Sequence, residues 1–121
     1  STLGYEACFM AGLKKLDIEG EPHRPFKIIY ASLYFDVRPT FVVDISDQFE
    51  ARFASLMAYK SQYTDQQEGT GLFPQQAEIR DRVEIMAKFY GLLAGVKYAE
   101  PFVQKEVGLI EDVTAIPVQS L

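Results

Sequence analysis

The chain has 121 residues, a formal net charge of −5 at pH 7, 48% hydrophobic residues and 24% charged residues. That length argues for one domain, and this ordinary globular composition excludes a disordered, collagen-like or coiled-coil chain. The acidic balance disfavours nucleic acid or an anionic membrane as partner, and no stretch reaches the roughly 20 apolar residues of a membrane helix.

A single cysteine, Cys8, leaves no internal disulfide, and the absence of Asn leaves no N-glycosylation acceptor. A reduced, cytoplasmic setting is the expectation. Ser1 and Thr2 read as the capped opening of a helix. Leu3, Cys8, Phe9, Met10 and Leu13 supply its apolar stripe, with Ala7 and Ala11 beside it. Lys14 and Lys15 suit its last turn, and Leu16 is the expected end. Gly12 is a weak point inside the pattern. Residues 17–25, with Pro22 and Pro25, form a loop.

Residues 26–34 are rich in β-branched and aromatic side chains with imperfect alternation, which predicts a strand buried on both faces. Pro39 ends the break that follows, and residues 40–45 form a second strand. Ser46 has the chemistry to cap a helix over about 47–62, along which Phe49, Phe53, Leu56, Met57 and Tyr63 keep helical spacing. Residues 64–74 read as a loop, with 66–73 its most mobile part. The longest helix begins at Gln75 or Gln76. Ile79, Val83, Met86, Ala87, Tyr90 and Leu93 form its stripe, and Gly95 is its C′ residue. Residues 96–103 are extended, interrupted by Pro101. The tail from 104 carries only a weak apolar run at 113–116.

Candidate chemistry is sparse. A structural zinc takes four Cys or His ligands, and a catalytic one typically takes three protein ligands. The chain has one Cys and one His. Cys8 reads as a small buried hydrophobe on the helix stripe. His23, between Pro22 and Arg24, reads as solvated or capping. Gly69 and Gly71 lead into Leu72, Phe73 and Pro74, which is no phosphate loop, and no G-x-S-x-G elbow occurs. Glu78, Asp81 and Glu84 share the outer face of the long helix with Arg80 and Arg82, as a solvated and partly paired surface. Glu100 stands among aromatics in Tyr98-Ala99-Glu100-Pro101-Phe102. It serves either as a structural acceptor for backbone amides or in a pocket. Tyr98 and Glu100 are therefore the pocket candidates, and no residue qualifies as catalytic or as a metal ligand.

The stretch from Gly95 through Tyr98-Ala99-Glu100 to Phe102 resembles the GV-x-YAE-x-F signature of the LmbE-like (PIG-L type) zinc N-deacetylases. It is most similar to the bacillithiol-biosynthesis branch, which acts on N-acetylglucosaminyl malate. Ala11 to Lys15 with Glu19 to Pro22 resembles the family's helix and loop after its last metal motif. Phe41 to Ser46 resembles its F-x-(V/I)-D-I-S strand, and Ala58 to Tyr63 its A-Y-x-S-Q-(F/Y) helix end. The family's A-H-P-D-D-x-E and H-P-D-H zinc motifs are absent.

The resemblance therefore implies the C-terminal half of a Rossmann-like α/β deacetylase: three helices, two main strands and an extended C-terminal segment. In the whole enzyme it implies zinc as Lewis acid, with an Asp base and a His for the oxyanion, all outside these residues. The fragment itself is expected to hold no zinc. The implied partners are the N-terminal half, further copies of the chain (the family is often hexameric) and a small sugar-conjugate substrate. In some relatives a Tyr before the long helix approaches the pocket. The matching stretch, with Gln75, Gln76, Glu78 and Ile79, has none, so that role is not carried over. The alternative from another class is a non-enzymatic assembly module that only resembles this half.

Overall fold

Residues 41–45 are aromatic and β-branched apart from Asp44, and Asp44-Ile45-Ser46 leads out of them into a turn. In the structure, a computed structural model that describes residues 2–17, 19–31, 38–59 and 76–118, this stretch is strand β2, Phe41–Asp44. It pairs antiparallel with β3, Ala99–Val103, in a register that sets Phe41 against Phe102 and Asp44 against Ala99. A two-residue strand β1, Tyr30–Ala31, pairs with the other edge of β3. The described residues thus form an α/β unit with a three-stranded antiparallel sheet, order β1-β3-β2, and three helices. The helices are α1 (Thr2–Met10), α2 (Phe49–Met57) and α3 (Gln76–Ala94), and a 3₁₀ turn lies at Val113–Ala115.

Pro101 occupies the central strand, where proline is normally excluded. The alternation of an antiparallel ladder explains it. The Ile45 N–H donates to the Tyr98 carbonyl at 3.0 Å, which makes that a hydrogen-bonded pair and Val42–Pro101 a non-bonded one. The missing N–H therefore faces away from β2. On the β1 side the described pairing stops at Phe102, one residue before the proline is reached.

Helix α3 seats most of its expected stripe on the sheet, but Leu93, expected in that stripe, is exposed. Ile79, Ala87 and Tyr90 are buried, and Ala87 joins Ile45, Phe49 and Tyr98 in the core cluster, with Val83 packed against it. The Phe49 and Tyr98 rings stack at 4.3 Å. The end of α3 is geometrically tight. A Cβ on Gly91 would stand 2.6 Å from the Val96 carbonyl oxygen and 2.9 Å from that of Lys97. Gly95 adopts φ +71°, and the Val96 N–H reaches back to the Gly91 carbonyl at 3.0 Å, the closing bond of a Schellman turn.

Several expectations are corrected. Helix α1 stops at Met10 rather than Leu16, so Lys14 and Lys15 lie beyond it. Gly12 leaves room there for Arg24, which sits 5.0 Å over the Phe9 ring, and the His23 N–H caps the Ala11 carbonyl at 2.9 Å. The stripe of α1 buries nothing, and Cys8 is only half-buried. The described part of 26–34, residues 26–31, is not a strand buried on both faces. The strand is Tyr30–Ala31 on a sheet edge, Phe26 is 97% exposed, and 32–34 lie outside the described residues. Ser46 does not cap α2, whose N-cap is Gln48 without a side-chain bond. The Ser46 hydroxyl instead donates to Asp44 and accepts from the Tyr98 N–H at 3.2 Å. Finally, the extended C-terminal segment becomes the central strand, giving three strands where two main ones were expected. The second helix ends at Met57 rather than near residue 62, with Ala58 as its C-cap, while Tyr63 and the loop 64–74 fall outside the described residues.

Candidate functional site

Helix α2 presents Phe49 and Phe53 to the core, which turns Arg52, Ser55 and Leu56 toward the space beside α3. Together with Tyr59 they form one wall of a cavity of about 530 Å³. Ile79, Arg82, Val83, Met86, Ala87 and Tyr90 of α3 form the second wall, and Ala99, Glu100 and Pro101 of β3 close it. The base is apolar, and the charged groups are Arg52, Arg82 and Glu100.

Glu100 is held by a side chain. The Arg52 Nε donates to its Oε1 at 2.9 Å, with both side chains about 30% exposed. A half-buried guanidinium–carboxylate bond of this kind orients both groups more than a surface pair does. No backbone-amide partner for the carboxylate is seen among the described residues.

Tyr98 is not part of this cavity lining. Its hydroxyl donates to Glu84 Oε1 at 2.9 Å, and Lys88 Nζ lies 2.9 Å from the same oxygen. Lys88, then the Tyr98 hydroxyl, hold the Glu84 carboxyl below its ordinary value. The bond to Glu84 pushes the Tyr98 phenol above its ordinary value, with burial adding to it. Beside it, Arg80 forks onto both Glu50 oxygens and stacks 4.8 Å over Phe53. That bond lowers Glu50 and raises Arg80. Of the expected outer-face charges, Arg82 pairs with Glu78 along the helix, whereas Arg80 and Glu84 reach other elements.

The two pocket candidates are thus neighbours in sequence but serve different places. Glu100 lines the cavity, and Tyr98 anchors α3 to β3. Arg52, Glu50 and Lys88 do not stand out in the sequence. Arg52 is flanked by helix residues of ordinary type, and no local signal marks its partner 48 positions away.

The donor set does not suit zinc. Among the described residues no three His, Cys, Asp or Glu side chains converge. His23 lies exposed in a loop, and Cys8 sits on α1. No step can be routed through a metal held by these residues. No helix among the described residues is long and apolar enough to cross a membrane.

No family model matches the chain. Among solved structures it is similar to the conserved protein TT1542 from Thermus thermophilus, at 31% sequence identity and a TM-score of 0.72. The likeness covers 91% of this chain and 46% of that one, so the chain spans somewhat less than half the length of the structure it matches.

Proposed function

We propose that these residues form part of a zinc-dependent hydrolase that removes acetyl groups from N-acetylglucosamine conjugates of the bacillithiol-precursor type. In this reading the zinc and its ligands are contributed by polypeptide outside the 121 residues, and the chain alone is inactive. The observation that carries the reading is a junction between two of the stretches that resemble the deacetylase family. The Asp44 carboxylate accepts from both the N–H and the hydroxyl of Ser46, and the Ser46 hydroxyl accepts from the Tyr98 N–H. The D-I-S turn thereby hooks onto the start of the Y-A-E strand. A third such stretch includes Tyr59, which lines the same cavity as Glu100.

The partner reading has its own support. Leu3 and Phe9 of α1 are 77% and 55% exposed. On α3, Ile85, Phe89, Leu92 and Leu93 recur at i, i+4, i+7 and i+8 and are all exposed. Exposed apolar faces mark interaction surfaces. The proposed cover is the metal-bearing half together with further copies of the chain.

The test is to mix the 121-residue chain with a polypeptide carrying the A-H-P-D-D-x-E and H-P-D-H motifs. The expected result is a stable complex that binds zinc and releases acetate from an N-acetylglucosaminyl conjugate, while neither part does so alone. A chain that stays monomeric and ignores such a polypeptide would argue for an independent module and against the split-enzyme reading.

A further inference from the structure

We infer that the cavity between α2, α3 and β3 is a binding site for a small amphipathic monocarboxylate, with its carboxylate on Arg52 and its apolar body against Leu56, Val83 and Met86. Arg52 spends only its Nε on Glu100. Its terminal NH₂ groups have no partner among the described residues, although the side chain is only 30% exposed. A guanidinium offers its fork to planar, two-oxygen acceptors, and partial desolvation strengthens that bond.

The charges around the cavity favour a singly charged ligand over a doubly charged one. Among the described residues the lining holds two guanidiniums and one carboxylate, and Arg82 is already engaged by Glu78. With Arg82 paired to Glu78 and Arg52 to Glu100 the surroundings are already close to neutral, so a dianion beside Glu100 would be repelled more strongly than a monoanion on the free fork of Arg52. The volume, about 530 Å³, lies within the range that holds a small organic ligand, and a mostly apolar base with few polar groups is the usual build of such sites. This inference needs neither zinc nor the deacetylase reading, so each can fail without the other.

The experiment is a nuclear magnetic resonance titration of the ¹⁵N-labelled 121-residue chain with benzoate, its neutral counterpart benzamide, and inorganic phosphate. Benzoate is expected to shift the amides of Ser55, Leu56, Met86 and Ala99 and to leave those of Val113 and Thr114 in place. Benzamide should bind at least about tenfold more weakly, and phosphate should leave the cavity amides unmoved. Arg52→Lys retains the charge but loses the fork, and should weaken benzoate by about tenfold. The benzoate–benzamide comparison on the unaltered chain stands even where an Arg52 variant fails to fold. Equal affinity for benzoate and benzamide would overturn the inference. So would unchanged benzoate affinity in Arg52→Lys, or no cavity shift at about 10 mM benzoate.

Discussion

Residues 41–101 and the segments flanking them, 2–31 and 104–118, both carry large apolar side chains, yet only the first region closes a core. Every buried residue among those described lies between Ile45 and Pro101. In the flanks, Leu3, Phe26, Val107 and Leu109 are 77%, 97%, 98% and 92% exposed. The difference is one of direction rather than of hydrophobicity. Phe49 and Phe53 in α2, and Ile79, Val83, Ala87 and Tyr90 in α3, fall on single helix faces that meet one sheet. In α1 the apolar residues run round the helix, so no face is selected and none is buried. The flanks are joined instead through Lys105, whose ammonium lies 5.2 Å from the Tyr5 ring centroid and 5.0 Å from that of Tyr30.

This contrast can be broken at several points. Hydrogen exchange should separate the regions most widely. The amides of Val83 and Ala87 are expected to be protected about a thousandfold more than those of Ala7 and Cys8 in α1. Comparable protection would mean that α1 is packed after all. Phe49→Ala should lower the unfolding free energy by about 3–5 kcal/mol in urea titrations. Phe26→Ala, in the exposed flank, should change it by less than about 0.5 kcal/mol.

Gly91→Ala is expected to cost about 1–3 kcal/mol, since its methyl would meet the Val96 and Lys97 carbonyls and the backbone must shift. A neutral result would show that the turn into β3 is looser than its geometry.

The smallest effect concerns the tie between α3 and β3. The Glu84 carboxyl is held low by Lys88 and Tyr98, so its contribution to stability is present above its ordinary value and fades as the pH falls through the lowered one. The Tyr98 phenol is held high by Glu84, so its contribution is full below 10.0 and fades as the pH rises through the raised value. Tyr98→Phe should abolish the alkaline loss and reduce the acid one, read as urea midpoint against pH. An unchanged alkaline limb would place the loss on another group.

Local signals are clear where one element carries its own evidence. The stripe of α3 from Ile79 to Tyr90, the Gly95 stop and the strand at 41–44 are all legible, because a helical period, a left-handed glycine and a β-branched run need no knowledge of neighbours. Glu100 stands out as a carboxylate among aromatics, but its partner does not. Arg52 is 48 positions away, and only the packing of α2 beside β3 brings the two within 2.9 Å. Ser46 has the chemistry of a helix cap, and its position before α2 invites that reading. The nearby Tyr98 N–H and Asp44 carboxylate take the hydroxyl instead, and that competition is set by strand pairing.

By itself, then, the sequence determined that the chain is an α/β unit with a long amphipathic helix and a short strand before the second helix. Tertiary structure decided how much of 26–34 becomes strand, where α1 ends, and which charges meet at the cavity. The physical reason is that period and turn chemistry act over a few residues. Burial and ion pairing depend on which surfaces are brought together, and for α1 and residue 26 no described surface covers them.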